Sequence, residues 1–151
     1  FLINMPLFGR VNRMVAVSRF AKTLSTLLHS GVPILNAMDI VKKIIDNKVL
    51  EKAVATAREN IKEGESIAVP LKRSGEFPPI VIQMISIGEQ SGDLEEMLDT
   101  LADSYEKEVR YTMDRLTSML EPIMIVALSV VIGFIVFAVV MPILKINDAV
   151  G

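Results

Sequence analysis

The sequence predicts an all-α protein, an antiparallel bundle of about six helices whose last helix continues into a C-terminal transmembrane helix. Apolar residues recur at helical spacing throughout the charged part of the chain, and no segment alternates with the period of two that is typical of strands. Short breaks that contain glycine separate these periodic segments. Residues 122–144 form an uncharged run of 23 residues, and about 20 apolar residues are enough to cross a bilayer.

Three helices are expected in the first part of the chain. The first spans about residues 10–29 and stops at Gly31, as helices commonly do where glycine follows the last turn. The second spans about 33–45, with a proline that suits a first helical turn. The third spans about 49–62 and ends before Gly64.

The fourth helix is predicted to be short. Ser66 is a candidate N-cap, and the chain breaks again at Ser74 and Gly75. Pro70 fits the first turn of such a helix but shortens it, because proline cannot donate a backbone hydrogen bond.

The last two helices are predicted to meet at a tight turn. Residues 77–79, Phe-Pro-Pro, form a rigid entry to a fifth helix over about 80–90, and Gly92 then breaks the chain. From Leu94 no breaker appears until Pro122, so one helix is expected to run from Leu94 into the membrane, with a candidate kink at the proline.

The predicted domain organisation has four parts. Positive charge near a span favours the cytoplasmic side, and more lysine and arginine precede the uncharged run than follow it. The chain begins with phenylalanine rather than methionine, and we expect it to be a fragment of a longer protein. The expected parts are a connector after a preceding membrane span (1–9), a cytoplasmic helical bundle (10–121), a transmembrane helix (122–144) and a short external tail (145–151).

The composition argues against an enzyme. There is no cysteine, so thiol catalysis and cysteine-based metal sites are excluded. His29 is the only histidine and is interpreted as a residue at the end of a helix. No glycine-rich phosphate loop is present, and a net charge of −2 gives no basic field for nucleic acid. We therefore predict no catalytic, cofactor-binding or metal-binding residues.

An acidic helix face is the strongest charge feature. Asp99, Asp103 and Glu106 share one face of the predicted last helix. Three interpretations remain open: a solvated face, a surface that docks a protein partner, and a calcium site. A membrane-tethered receptor or calcium sensor is therefore the alternative function, and calorimetric calcium titration would distinguish it.

Three residues at the ends of the uncharged run are candidate coupling positions. Glu121 and Pro122 open the run, and a carboxylate there is costly if it faces lipid. Pro142 stands near the far end, where it is a candidate helix stop.

Three segments carry a resemblance to a known family. Residues 77–109, FPPIVIQMISIGEQSGDLEEMLDTLADSYEKEV, resemble the hallmark of the type II secretion system F protein and of type IV pilus inner-membrane platform proteins. Residues 19–40 resemble the opening of that domain, and LEPIMIV with MPILKIN resembles its last span. The match is collinear over nearly the whole chain.

The resemblance implies the second cytoplasmic domain and the last of three spans of a non-enzymatic platform in the bacterial inner membrane. Its implied partners are a cytoplasmic assembly ATPase, pilin or pseudopilin subunits, other platform proteins and a second copy of itself. Within the hallmark we expect Gly88, Glu89, Ser91 and Gly92 to form the turn that sets the angle between bundle and stalk.

Overall fold

The computed structural model describes residues 6–151, and this part of the chain contains six α-helices and no strand. The all-α prediction is confirmed, and the helices follow one another through short connections. They are α1 (Pro6–His29), α2 (Ile34–Ile44), α3 (Lys48–Lys62), α4 (Ala68–Ser74), α5 (Pro79–Ser91) and α6 (Leu94–Val150).

The starts of α1 and α5 differ from the prediction. α1 begins at Pro6, so the later part of the predicted connector 1–9 is helical, whereas its residues 1–5 lie outside the described residues. α5 begins at Pro79, because a proline at the first helical position has a suitable φ and no N–H that needs a partner.

The chain divides into two compact units, one ending at Arg110 and one beginning at Tyr111. In the first unit α1 packs against α2, α2 against α3, α3 against α4 and α4 against α5. The rings of Phe20 and Phe77 lie 5.0 Å apart between centroids, which joins α1 to the segment before α5. The largest fully buried side chains of this unit include Phe20, Leu24, Met38, Ile45, Leu50, Leu71, Ile85, Leu98 and Leu101.

The second unit consists of the later part of α6. Apart from the half-buried Leu116, its large apolar side chains are exposed, and Phe134 is 75% exposed. Among the described residues, α6 is the one helix long and apolar enough to cross a membrane. Such an unpacked apolar surface suits a lipid environment, because lipid removes it from water as a protein core would.

Candidate functional site

The turn between α5 and α6 is built around Gly92. This residue ends α5 in the left-handed conformation, with φ 79° and ψ 8°, and α6 begins two residues later at Leu94. Glycine adopts this conformation without the steric cost that a Cβ brings. Just before it, the Ser91 hydroxyl donates to the Ile87 carbonyl at 2.9 Å. This side chain therefore bonds to a backbone carbonyl in the last turn of its own helix.

Gly88 lets α5 and α6 approach closely. It is buried, and a Cβ built on it would lie 2.8 Å from the Leu94 Cα and 3.2 Å from the Met97 Cβ. The nearest atom belongs to the backbone, which cannot rotate away as a side chain does. Any larger residue at this position must therefore push the first turn of α6 away from α5.

Glu89 connects this turn to a third helix. Its Oε1 accepts a hydrogen bond from the Ala68 N–H at 2.7 Å, across 21 residues of sequence. The Ala68 N–H opens α4, and Ile67, the residue at the N-cap position, offers no side-chain cap. The carboxylate thus satisfies one of the donors that every helix start leaves unpaired, and its charge complements the helix dipole.

The prediction that Ser66 caps α4 is wrong. The helix starts one residue later, with Ile67 at the N-cap, and Glu89 supplies the acceptor instead. Pro70 does lie in the first turn, as predicted, and α4 is only seven residues long. The hallmark segment therefore joins α4, α5 and α6 through Gly88, Glu89 and Gly92.

The first turns of α6 also contact α1 through polar side chains. The fully buried Ser25 has its hydroxyl 3.0 Å from the Glu95 carbonyl oxygen and 3.3 Å from the Asp99 carboxylate. Lys22 pairs with Asp99 at 3.5 Å, and His29 Nδ1 lies 3.4 Å from a Glu95 carboxylate oxygen. Asp99 is therefore engaged with α1 rather than presented to solvent alone.

The other members of the predicted acidic face are in different surroundings. Asp103 is exposed. The Glu106 carboxylate lies 3.6 Å from the Arg110 guanidinium in the next turn of the same helix. In the described part of the chain no group of three or more His, Cys, Asp or Glu residues could hold a metal ion. Among these residues there is therefore no calcium site of the kind that the calcium-sensor alternative needs.

Glu121, Pro122 and Pro142 all lie inside α6 in the second unit. The interpretation of Pro142 as a helix stop is wrong, because α6 continues past it to Val150. Both prolines lack the N–H that would reach back one turn, so each removes one backbone hydrogen bond from the helix. Glu121 is exposed, and the unit brings no basic side chain to it within ion-pair distance. The coupling role of these three residues stays a prediction.

The turn between α2 and α3 provides an internal contrast. Asp46 has a φ of 55°, and the Asn47 side chain accepts from the Val49 and Leu50 N–H groups at 3.1 and 3.2 Å. Farther along the same two helices, Arg58 on α3 pairs with Asp39 on α2 at 3.1 Å. Burial raises the pKa of Asp39, but hydrogen bonds and charge interactions with Lys42 and Arg58 outweigh it and hold that pKa below its usual value.

The model of the family described as type II secretion system (T2SS), protein F, matches residues 20–142 of this chain. This range contains the whole α5–α6 turn and most of the uncharged run. The chain belongs to this family. The resemblance seen in the hallmark segment is therefore confirmed at the level of the family.

Curated relatives come from both branches of the T2SS protein F family. The type IV pilus assembly protein PilC of Myxococcus xanthus is 42% identical over 97% of this chain and 35% of its own length. The type II secretion system protein F of Pseudomonas aeruginosa is 36% identical over 100% of this chain and 37% of its own length. The chain thus spans little more than a third of these relatives.

Proposed function

We propose that this chain is part of a non-enzymatic inner-membrane platform that couples a cytoplasmic assembly ATPase to the assembly of pilin or pseudopilin subunits. Family membership supports this role, since the relatives are named for type II secretion and type IV pilus assembly. The expected further partners are other inner-membrane platform proteins, membrane lipid and a second copy of the chain, with no nucleic acid and no cofactor.

In this proposal the bundle, residues 10–121, lies in the cytoplasm, and residues 122–144 cross the bacterial inner membrane. Residues 145–151 then face the periplasm. The cations before the run support this orientation, because lysine and arginine accumulate on the cytoplasmic side of a span. They are Lys107, Arg110 and Arg115, against Lys145 after it.

The observation that carries the proposal is the continuity of α6. The helix contributes Leu98, Leu101, Ala102 and Tyr105 to the core of the first unit, and the same helix contains the uncharged run. A helix carries a displacement along its axis because each turn is hydrogen-bonded to the next. Motion imposed on the bundle would therefore reach the membrane through one element.

The experiment interrupts that element without changing its register. Met113, Asp114 and Arg115 are exposed residues of α6. In the full-length protein they are all replaced by glycine in one variant and all by alanine in the matched control. Glycine costs about 1 kcal/mol per residue relative to alanine in a helix, so only the first variant softens the helix at this point.

We expect the glycine variant to lose most secretion or piliation in a complementation assay, whereas the alanine variant keeps it. Both should be present in the membrane in equal amounts, as measured by immunoblotting of membrane fractions. Full activity of the glycine variant at normal abundance would contradict the proposed coupling through α6.

A further inference from the structure

Two grooves flank α4 on the surface of the first unit. The groove between α3 and α4 has a volume of about 560 Å³, and Val49, Ala53 and Pro70 form its apolar part. The groove between α4 and α5 has a volume of about 740 Å³. Its apolar lining includes Val69 and Ile87, which are 48% and 46% exposed. α4 therefore stands as a ridge between two apolar depressions.

Unpaired lysines border both grooves. Lys48 and Lys52 line the first groove and Lys72 lines the second. All three are exposed, and none takes part in an ion pair within the described part of the chain. The one acidic residue that lines either groove, Glu76, is paired with Arg13. The surface thus combines exposed apolar area with uncompensated positive charge.

We propose that the two grooves and their lysines form a docking surface for an acidic amphipathic helix of a cytoplasmic partner protein. Apolar side chains of such a helix would fill the grooves, and its carboxylates would meet the lysines. The inference deepens the proposed coupling function and rests on it, since the surface is available to a cytoplasmic partner only if the bundle lies in the cytoplasm.

The shape of the surface favours a helix over an anionic membrane. Two depressions separated by a ridge can receive side chains that project from a partner helix, whereas the broad surface of a bilayer does not match their shape. The acidic segment of a second copy fits poorly. The exposed residues of α6 between Glu95 and Glu108 are all polar and offer nothing to fill an apolar groove.

The position of α4 gives the docking a consequence. The Glu89 carboxylate holds the first N–H of α4, and Glu89 lies three residues before Gly92 in the α5–α6 turn. A partner that displaces α4 would act directly on this hydrogen bond. The docked helix would therefore be linked to the turn before α6 through one hydrogen bond, from the Ala68 N–H to Glu89.

The test measures binding of a defined probe to the chain in detergent micelles. The probe is a fluorescein-labelled synthetic helix of about 18 residues, five helical turns, with leucine on one face and glutamate beside it. Its control carries lysine in place of glutamate. We expect fluorescence anisotropy to report saturable binding of the glutamate peptide that weakens with added salt, and no binding of the lysine peptide.

Charge reversal locates the site. The variant Lys48→Glu/Lys52→Glu/Lys72→Glu should raise the Kd of the glutamate peptide at least about tenfold. The matched control, Lys43→Glu/Lys62→Glu/Lys107→Glu, changes the net charge equally at exposed lysines elsewhere and should change the Kd less than about threefold. An absence of peptide binding, or an equal loss in both variants, would overturn the proposal.

A lipid measurement tests the competing occupant. The sequence has no cysteine, so Val69→Cys gives a unique attachment point for a fluorophore in the groove. In nanodiscs that contain spin-labelled phosphatidylglycerol, we expect no quenching; strong quenching would make this face a membrane surface. If the docking tests fail but the glycine and alanine variants of α6 behave as expected, this inference is wrong and the proposed coupling function is unaffected.

Discussion

Two turns of the bundle reverse the chain between helices in different ways. At the α2–α3 turn, Asn47 caps α3 through the N–H groups of Val49 and Leu50, so the hydrogen bonds of this helix cap are made within a few residues. At the α5–α6 turn, Gly88 meets the backbone of Leu94, and Glu89 caps a helix that begins 21 residues earlier. The helix cap at the first turn is local, whereas the glycine contact and the helix cap at the second turn involve three helices.

This difference suggests why the α5–α6 turn is the better candidate for coupling. A helix cap that is made within a few residues can be lost without breaking a contact to a distant helix. A turn that shares contacts with α4 and α6 transmits any change to both, because packed elements cannot deform independently. Substitutions at the second turn should therefore disturb more of the molecule than equivalent substitutions at the first.

The largest effect on stability is expected at Gly88. Gly88→Ala places a Cβ 2.8 Å from the Leu94 Cα, and we expect a loss of about 1–3 kcal/mol in the free energy of unfolding. Gly9→Ala is the matched control, because a Cβ there meets nothing within 4 Å in a helix. It should be neutral or stabilise by up to about 1 kcal/mol. Thermal unfolding of the chain in detergent, followed by circular dichroism, measures both; equal effects would contradict the close approach.

A smaller effect on stability is expected at Gly92 and Asp46, the left-handed residues of the two turns. Gly92→Ala finds open space around its Cβ, so its cost is that of the backbone alone, about 1 kcal/mol. Asp46 already holds φ at 55° in the other turn. Asp46→Gly relieves that strain but loses more entropy on folding, so the change should stay within about 0.5 kcal/mol. The same unfolding measurement checks the pair, and a larger shift at Asp46 than at Gly92 would reverse the comparison.

The smallest effect is a dependence of stability on pH that comes from the ion pair between α2 and α3. Because the pKa of Asp39 is lowered in the folded protein, its contribution to stability is present above the ordinary pKa of about 3.9. The contribution is lost as the pH falls through the lower, folded value. Asp39→Asn should therefore lower the melting temperature slightly at neutral pH and flatten its fall on acidification. An unchanged slope between pH 5 and 2 would argue against the contact with Arg58.

The helices themselves could be predicted because their boundaries are local signals. Gly31, Gly64 and Gly75 all adopt positive φ where the sequence predicted breaks, and α5 starts at Pro79, within one residue of the predicted start. The cap of α4 could not be predicted, since its acceptor is distant in sequence and Ser66 offered a plausible local substitute.

Other features of the site also depend on the fold. A glycine inside a helical pattern, such as Gly88, indicates only weak helix propensity until the neighbouring helix is in place. The contacts of Asp99 with Lys22 and Ser25 likewise follow from the packing of α1 on α6. The helical spacing of the three carboxylates could not show that one of them is bonded to another helix.

The central claim is that the α5–α6 turn couples the helices and does more than stabilise them. Glu89→Ala and Asn47→Ala each remove the side-chain acceptor from one helix start, and each should cost about 1 kcal/mol of stability. The most direct measurement compares secretion or piliation by the two full-length variants at equal abundance in the membrane. We predict that Glu89→Ala loses most activity and that Asn47→Ala keeps it. Equal activity of the two variants would contradict the account.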